Sequence, residues 1–265
     1  MAGAPKARKV SRRRFLRGVS EVRRILTASG LVLKGGVKWA TVPPPLHAKQ
    51  KTRQLSTNIL VIAPHPDDES IGCGGAICLH SARGERVAAV FITSGEKGLK
   101  NLDHKKAQKI REAEAKKAAK ILGIGKLYFL RLPDWTSGKN MKRGVRLLLP
   151  VLKRERPSLI YLPHPGEWHP DHQAALPMLR AALKRAAIPK PKLLAYEIWT
   201  PLLRFDHVEN IVRVMRRKLK ALAAHKSQLK EFNYERAIIG LNQYRGELAA
   251  KCRFAEVFSA LSPVP

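Results

Sequence analysis

The sequence predicts an α/β fold: a mostly parallel sheet with helices on both faces. Short apolar runs recur along the chain from Asn58 onward, beginning with the run from Ile59 to Ile62. Continuous apolar runs of this kind are typical of strands that are buried on both faces of a parallel sheet. Segments with helical periodicity separate the runs, and this alternation is typical of βαβ units.

The individual elements follow from the same patterns. Five apolar runs are predicted strands: Ile59–Ile62, Val87–Ile92, Leu127–Leu130, Leu159–Leu162 and Leu193–Trp199. Four segments between them are predicted helices: about residues 70–83, 105–122, 140–154 and 171–186. Gly84 and Gly123 close the first two, as glycine commonly does at helix ends. Asp206 and Glu209 have the spacing of a capping box, which predicts a long helix that continues to about Lys230.

The composition is typical of a globular protein with a sizeable core. Of the 265 residues, 45% are hydrophobic. No apolar stretch reaches the roughly 18 residues that a membrane-spanning helix requires. Cys73, Cys78 and Cys252 are odd in number and form no C-x-x-C pair, which argues against a disulfide framework and for a reducing compartment. We therefore expect a cytoplasmic protein.

Residues 1–57 differ from the rest of the chain. They carry 14 basic side chains and one acidic side chain, within a net charge of +31 for the whole chain. We expect a basic extension, partly helical or loosely ordered, ahead of one domain over residues 58–265. The extension is suited to peripheral contact with an anionic membrane. The run Ser11 to Arg17 is similar to a twin-arginine export signal, but Glu21 interrupts the apolar core that such a signal requires, so export is the minor alternative.

Polar residues gather where two of the predicted strands end. His65, Asp67 and Asp68 follow the first strand, and the segment His169-Pro170-Asp171-His172 follows the fourth. In open parallel sheets, binding sites form outside the carboxyl ends of the strands. Both segments are therefore expected at one edge of the sheet, and chance explains their joint composition poorly.

Two imidazoles and a carboxylate form a typical open zinc site, with a fourth position left for water. His65 and Asp68 are three residues apart, so a turn or helix start can bring both side chains to one metal ion. His172 can supply the third ligand from the second segment. Zinc lowers the pKa of its bound water toward ~7, which makes hydroxide available at neutral pH.

The remaining side chains of the two segments suit acid–base chemistry. Asp67 adjoins a ligand without being needed as one, so it can take the proton of the water. His169 can polarise an amide carbonyl or stabilise the oxyanion, with Asp171 fixing its tautomer. Zinc is favoured over other divalent metals only by ligand type, so the metal used in the cell stays open.

The two segments also resemble the signature motifs of a known family. The segment Ala63 to Glu69 (APHPDDE) and the segment His169 to His172 (HPDH) are similar to the motifs of the LmbE-like deacetylases, which include N-acetylglucosaminyl-phosphatidylinositol de-N-acetylase (PIG-L). The resemblance extends over about residues 58–260. It implies a Rossmann-like fold, Zn²⁺ as the cofactor, and hydrolysis of the N-acetyl group of an amino-sugar conjugate.

The resemblance also carries over to single residues. By motif position it implies that His65, Asp68 and His172 are the zinc ligands and that Asp67 is the general base. It also implies that His169 assists the oxyanion, with Asp171 as its partner. It adds Arg111 as a substrate contact, for which the alternative is an exposed helix arginine paired with a nearby glutamate. His164, in an extra His-Pro pair before the second motif, is the alternative third ligand.

We therefore expect a zinc-dependent hydrolase that removes an acetyl group from an N-acetylglucosamine-type conjugate by metal-activated water. The net charge of +31 motivates one alternative, a basic protein that binds nucleic acid or an anionic surface on a hydrolase-like scaffold. The sequence has no RNP-type strand, helix-turn-helix or zinc-finger pattern, so nucleic-acid binding is the weaker hypothesis. The aglycone is not predicted, because loops that contact such groups differ freely within one fold.

Overall fold

The computed structural model describes residues 58–230 and 232–262, so the predicted basic extension over residues 1–57 lies outside the described part of the chain. Seven strands are present in the described part: β1 (Asn58–Ala63), β2 (Arg86–Thr93), β3 (Lys126–Leu132), β4 (Leu159–Pro163), β5 (Lys192–Tyr196), β6 (His207–Asn210) and β7 (Ala255–Leu261). They form one sheet in the order β3-β2-β1-β4-β5-β7-β6. The first five strands of this order are parallel, and β7 pairs antiparallel with both β5 and β6.

Helices cover both faces of the sheet. The described α-helices are α1 (Asp68–Ala82), α2 (His104–Leu122), α3 (Met141–Glu155), α4 (Pro170–Ala186), α5 (Met215–Leu222) and α6 (Tyr234–Arg245). Strand β1 shows the two-sided burial most clearly, because Ile59 and Val61 pack in one core with α1 and α2, whereas Leu60 and Ile62 pack in the other with α3 and α4. The predicted α/β fold is confirmed, and its first four strands and first four helices lie where the apolar pattern predicts them. None of the described helices is long and apolar enough to cross a bilayer.

The order of the strands places a crevice beside β1. The chain runs outward from β1 to β2 and β3, and then returns to β4, which pairs with β1 on its other side. In open α/β sheets this reversal is the position at which ligands bind, outside the carboxyl ends of the strands. The loops that follow β1 and β4 therefore meet at the crevice, and these loops carry the two predicted motifs.

The predicted long helix from Asp206 to about Lys230 is wrong. Residues His207–Asn210 form β6, an edge strand, and helix α5 begins only at Met215. The Asp206 carboxylate accepts a hydrogen bond from the backbone N–H of Ala260 (2.8 Å), so it supports the pairing with β7 instead of capping a helix. Glu209 contacts His207 at 2.8 Å on the same strand. Strand β6 is a short edge strand with polar side chains. It therefore contains no apolar run from which a strand could be predicted.

The end of β5 and the C-terminal elements also differ from the prediction. Strand β5 ends at Tyr196 and not at Trp199, because the backbone N–H groups of Ile198 and Trp199 turn to the Glu167 carboxylate (2.8 and 3.2 Å). Helix α6 and strand β7 were not predicted. Strand β7 completes the sheet between β5 and β6.

A buried ion pair joins the C-terminal elements to α1. Lys218 on α5 is fully buried, and its Nζ donates to the Glu256 carboxylate of β7 (2.7 Å) and to the Asn242 side-chain oxygen of α6 (2.9 Å). Glu256 also accepts the backbone N–H groups of Gly75 and Ala76, both at 2.8 Å. Helix α1 is non-helical at Cys73, so these N–H groups lack regular helical partners and the carboxylate satisfies them.

We expect Lys218→Met to destabilise the protein by about 3–5 kcal/mol, because it leaves the Glu256 charge buried without its partner. Lys220→Met is the matched control, since Lys220 lies on the same helix and is exposed. Chemical denaturation of both variants measures the difference. Equal stability of the two variants would contradict a role for the ion pair in holding α5 and β7 together.

Candidate active site

The loop after β1 places three predicted residues at the start of α1. Asp67 precedes the helix with φ 127°, a conformation that a residue with a side chain rarely adopts. Its carbonyl oxygen accepts the N–H groups of Ser70 and Ile71 (both 2.9 Å), and its own N–H donates to the Glu69 carboxylate (3.0 Å). Strain of this kind persists where surrounding contacts fix the backbone, and it is concentrated at functional sites.

The loop after β4 leads into α4 through the second motif. His169 is the N-cap residue, and its Nδ1 accepts the backbone N–H of Asp171 (3.2 Å). Pro170 occupies the first turn, where its missing N–H has no cost. The first turn of α4 thus points Asp171 and His172 into the crevice, where both are fully buried.

Three predicted ligand atoms form an equilateral triangle. The Nδ1 of His65 lies 3.3 Å from the Asp68 Oδ2, and the Nε2 of His172 lies 3.3 Å from each of these two atoms. Ligand atoms bound to one tetrahedral zinc ion at about 2.0–2.2 Å stand roughly 3.3–3.6 Å apart. The backbone N–H of His65 holds the Asp68 carboxylate in place (2.8 Å). The donor set and its spacing therefore fit a divalent metal ion.

Among the residues that the structure describes, two other groups of side chains have ligand atoms within 4.8 Å of one another, and both share His65. One adds His169 and His172, and the other adds Asp134 and Asp171. The second group is better explained as support for the triangle. Oxygens of Asp134 and Asp171 each lie 3.2 Å from the Nε2 of His65, so they can accept a hydrogen bond from the Nε2–H and leave Nδ1 for the metal.

The backbone and the carboxylate of Asp171 have different partners. The Asp171 carboxylate contacts His65, and it also accepts the N–H groups of Trp135 (2.7 Å) and Ser137 (2.9 Å). His169 instead receives the backbone N–H of Asp171. An N–H group can only donate, so the Nδ1 of neutral His169 is the acceptor and its Nε2 carries the proton.

Burial and charge make this neutral form the stable one. Burial lowers the pKa of His169 to about 4, together with the nearby His65 and His172. His169 therefore presents an Nε2–H donor at neutral pH. Such a donor is what the oxygen of a polarised carbonyl requires.

The centre of the site favours positive charge. Burial acts against protonation of His65, but the Asp134, Asp171 and Asp68 side chains raise its pKa well above the usual value. Burial also opposes ionisation of Asp68, yet His172 and His65 hold its pKa far below the usual range. Acidic groups concentrated around two imidazoles suit a cation, which is a second sign that the residues fit a metal.

Asp67 is held by Arg111. The Nη2 of Arg111 contacts the Asp67 Oδ2 at 3.1 Å and donates to the Pro66 carbonyl at 2.7 Å, and its Nη1 donates to the Gly95 carbonyl at 2.8 Å. Gly95 has φ 61°, and a Cβ there would lie 2.0 Å from Arg111, so only glycine allows this approach. Burial raises the pKa of Asp67 to about 6, although Arg111 opposes the shift.

Arg111 is therefore neither exposed nor paired with a helix glutamate. Its side chain is buried, and it lines the same cavity as Asp67, so a substrate contact remains compatible with its position. The other alternative, His164 as a ligand, does not fit the structure. The Nε2 of His164 donates to the Thr200 carbonyl (2.7 Å), and its Nδ1 accepts the Gly166 N–H (3.1 Å).

Sequence reasoning assigned no role to Asp134, Glu167 or His225, although all three support the site. The Glu167 Oε2 lies 3.7 Å from the His172 Nδ1, which has no hydrogen-bond partner among the described residues. His225 contacts Glu69 at 3.2 Å, and Glu69 in turn holds the backbone of Asp67. Asp134 and Glu167 follow the ends of strands, and this position could have indicated a role in the site. His225 follows no strand, so its position in the sequence gave no such indication.

A cavity of about 420 Å³ opens above the triangle. Its floor includes His65, Asp67, Asp68 and His169, and its wall carries several aromatic side chains. Pockets of this size enclose small organic ligands. Two residues of the metal-binding triangle, His65 and Asp68, thus line the same partly open cavity as Asp67, whose pKa is raised, and the donor His169.

The family model described as GlcNAc-PI de-N-acetylase, PIG-L, matches residues 60–183. Diacetylchitobiose deacetylase from Thermococcus kodakarensis is 31% identical over 194 residues, which cover 67% of this chain and 72% of the relative. The chain belongs to the PIG-L family. Its named relatives are deacetylases, and the chain is accordingly an enzyme of the amide-hydrolase class.

Other members of the PIG-L family agree in sequence and in fold. A Bacillus anthracis relative named "Probable N-acetyl-alpha-D-glucosaminyl L-malate deacetylase 2" is 33% identical over 190 residues, covering 64% of this chain and 81% of the relative. The solved structure of N,N'-diacetylchitobiose deacetylase from Pyrococcus horikoshii is 25% identical, with a TM-score of 0.67. The match covers 77% of this chain and 84% of the solved chain.

We expect Arg111→Met to lower kcat and to destabilise this PIG-L family member by about 1–3 kcal/mol, because two buried carbonyl oxygens and the Asp67 carboxylate lose their donor. Metal content should remain, since the triangle does not include Arg111. Lys109→Met, an exposed position on the same helix, is the control. Steady-state kinetics, metal analysis and thermal unfolding measure the three effects, and an unchanged kcat would contradict the positioning role.

Proposed function

We propose that this PIG-L family member is a zinc-dependent N-deacetylase that hydrolyses the acetamido group of an N-acetylglucosamine-type conjugate. The observation that supports it most strongly is the triangle of His65, Asp68 and His172, with sides of 3.3 Å, two of whose residues, His65 and Asp68, line the cavity. The substrate class is supported by the names of the relatives, which act on diacetylchitobiose and on an N-acetyl-glucosaminyl malate.

His65, Asp68 and His172 would hold the zinc ion. A zinc ion bound there supplies Lewis acidity and lowers the pKa of water toward ~7. Asp134 and Asp171 accept a hydrogen bond from the His65 Nε2–H, so they act as positioning residues for the ligand set. The Glu167 carboxylate lies 3.7 Å from the other ring nitrogen of His172, Nδ1.

Asp67 serves as the general base. It borders the cavity next to the ligands, and burial raises its pKa to about 6, which is close to the value that a base needs near neutral pH. Asp67 takes a proton from the attacking water and delivers it to the departing amine. Arg111 and the strained backbone at Asp67 keep the carboxylate in one orientation during both transfers.

His169 stabilises the carbonyl oxygen of the acetamido group. Its Nε2–H is fixed as a donor because Nδ1 accepts the Asp171 N–H. As negative charge develops on the carbonyl oxygen, a preorganised donor in a partly enclosed cavity lowers the barrier. Asp171 thus contributes through its backbone to His169 and through its carboxylate to His65.

Variants of Asp67 and His172 separate base catalysis from metal binding. We expect Asp67→Asn to retain zinc and to lower kcat by roughly 100-fold to 10,000-fold, the range of general-base catalysis. We expect His172→Ala to lose zinc as well as activity, because it removes one corner of the triangle. Acetate release and elemental analysis measure the two properties.

His207→Ala is the matched control, since His207 lies on β6 outside the cavity. It should keep both zinc and activity. Full activity of Asp67→Asn would contradict the base assignment. Full zinc content in His172→Ala would contradict the ligand assignment.

Residues 1–57 are proposed to hold the enzyme against an anionic membrane surface. They carry 14 of the 51 Lys and Arg residues and one acidic residue. Each basic residue near such a surface contributes about 1 kcal/mol. We expect deletion of residues 1–57 to abolish sedimentation with phosphatidylserine vesicles and to leave deacetylation of a soluble substrate unchanged. Unaltered sedimentation would contradict this proposal.

A further inference from the structure

Two polar side chains of the cavity have hydrogen-bonding atoms without a partner. Tyr234 and Gln228 both line the cavity, and they are only 7% and 8% exposed. Within the described part of the chain, the Tyr234 hydroxyl makes no hydrogen bond. The Gln228 side chain makes one there, from its Nε2 to the Ser227 Oγ (3.3 Å), so its Oε1 has no donor. Polar groups buried to this extent are normally paired, and a ligand in the cavity would pair these two.

The ring of Tyr234 is held firmly, although its hydroxyl is not. Tyr234 is the first residue of α6, which Asn233 caps by accepting the N–H of Arg236 (3.0 Å). The ring belongs to one apolar cluster with Ile71, and its centroid lies 5.7 Å from that of Trp199. A phenylalanine would pack equally well and would bury no unpaired oxygen. The fold therefore has no use for the hydroxyl, and binding of a ligand explains its presence.

Tyr234 lies beside the start of α1, where the general base is located. Ile71, which shares the apolar cluster with Tyr234, donates its N–H to the Asp67 carbonyl (2.9 Å). Burial raises the pKa of Tyr234, and the negative charges of Asp67 and Asp68 raise it further. The phenol therefore stays protonated at neutral pH and presents a donor next to Asp67.

Gln228 lies on the same side of the cavity. A Cβ on Gly98 would lie 2.8 Å from the Arg111 Nη1 and 3.2 Å from the Gln228 Oε1, so these two groups lie side by side. Arg111 in turn contacts the Asp67 carboxylate at 3.1 Å. One unpaired acceptor, on Gln228, and one unpaired donor, on Tyr234, thus adjoin the base.

The position of the base determines which part of the substrate reaches these two groups. Asp67 delivers its proton to the departing amine, so the acetamido nitrogen must lie near Asp67. In an N-acetylglucosamine unit, the carbon that bears this nitrogen has two neighbours. One is the anomeric carbon, which carries the aglycone, and the other is C3, which carries a free hydroxyl group. A hydroxyl group both accepts and donates, so it can pair with a phenol O–H and with an amide oxygen.

We propose that Tyr234 and Gln228 bind the C3 hydroxyl group of the acetamido sugar and thereby select N-acetylated amines that carry a neighbouring hydroxyl. This inference rests on the proposed function and adds two specificity-determining residues to it. Tyr234 donates to the hydroxyl oxygen, and the Gln228 Oε1 accepts a hydrogen bond from its O–H. Neither side chain acts on the acetyl group, so the loss of either weakens binding and leaves the chemical step unchanged.

The test compares acetate release from the methyl glycoside of N-acetylglucosamine and from its 3-deoxy analogue, which lacks only the C3 hydroxyl group. Tyr234→Phe removes a single oxygen atom. We expect kcat/KM for the methyl glycoside to fall about tenfold, mainly through KM, as the loss of one hydrogen bond to a ligand implies. On the 3-deoxy analogue the variant and the unaltered enzyme should be equal, because no hydroxyl is present to bind. Gln228→Met should show the same pattern.

The controls are Tyr244→Phe and Gln243→Met. Both residues lie on α6, are exposed and lie outside the cavity. They should leave both substrates unaffected. An equal loss on both substrates in Tyr234→Phe would assign the hydroxyl to another part of the substrate. No loss on either substrate would remove Tyr234 from binding, and a fall in kcat alone would place its contact in the transition state. Each of these results overturns the proposal.

Thermal unfolding separates a binding role of the hydroxyl from a structural one. We expect Tyr234→Phe to have a Tm no lower than that of the unaltered enzyme, because the hydroxyl has no partner among the described residues. A clear fall in Tm would show that the hydroxyl supports the fold, and it would contradict the proposal.

A binding measurement keeps the hydroxyl contact separate from the deacetylase activity. The Asp67→Asn variant is titrated calorimetrically with the methyl glycoside, with and without the additional Tyr234→Phe substitution. An increase in Kd of about tenfold supports the contact even if the unaltered enzyme releases no acetate. Acetate release from the methyl glycoside that does not depend on Tyr234 or Gln228 would sustain the proposed function and contradict the contact.

Discussion

The imidazole of His65 is the group on which the architecture of the site depends. Its Nδ1 forms one corner of the triangle, and its Nε2 is bound by two carboxylates at 3.2 Å. A neutral imidazole carries its proton on one nitrogen and binds a metal through the other, so Asp134 and Asp171 fix which nitrogen faces the metal position. Through Asp171 the same contact extends to the backbone of Trp135 and positions the loop after β3.

The strand order makes this convergence possible. His65 follows β1, Asp134 follows β3 and Asp171 follows β4, so three loops meet above the position where the chain returns to the middle of the sheet. A metal ligand, its supporting carboxylates and an aromatic wall thus come from segments that are distant in sequence. The rigid sheet holds them, whereas the loops supply the chemistry.

A second network orients the general base, and it explains why residues far from the motifs belong to the site. Arg111 on α2 holds the Asp67 carboxylate, while Glu69 holds the Asp67 backbone and is itself bound by His225 beyond α5. These contacts over-determine a backbone conformation that would otherwise relax. Most of the fold and of the site could be predicted, because apolar runs and strand-end polar residues are local patterns. Strand β6 and the contact of the Asp171 carboxylate with His65 could not, because edge pairing and carboxylate direction depend on contacts between distant segments.

The charge of the chain illustrates the same difference between local and non-local information. A net charge of +31 suggests an anion-binding protein, yet the centre of the site contains the carboxylates of Asp68, Asp134 and Asp171. Surface charges are screened within about 8–10 Å at physiological salt. The site carboxylates are nearly inaccessible to solvent and lie about 3 Å from the imidazoles, where direct interaction is far stronger than any distant surface charge. Net charge therefore indicates which external charged surfaces the protein can bind. The polar residues at the strand ends indicate which reaction the site can perform.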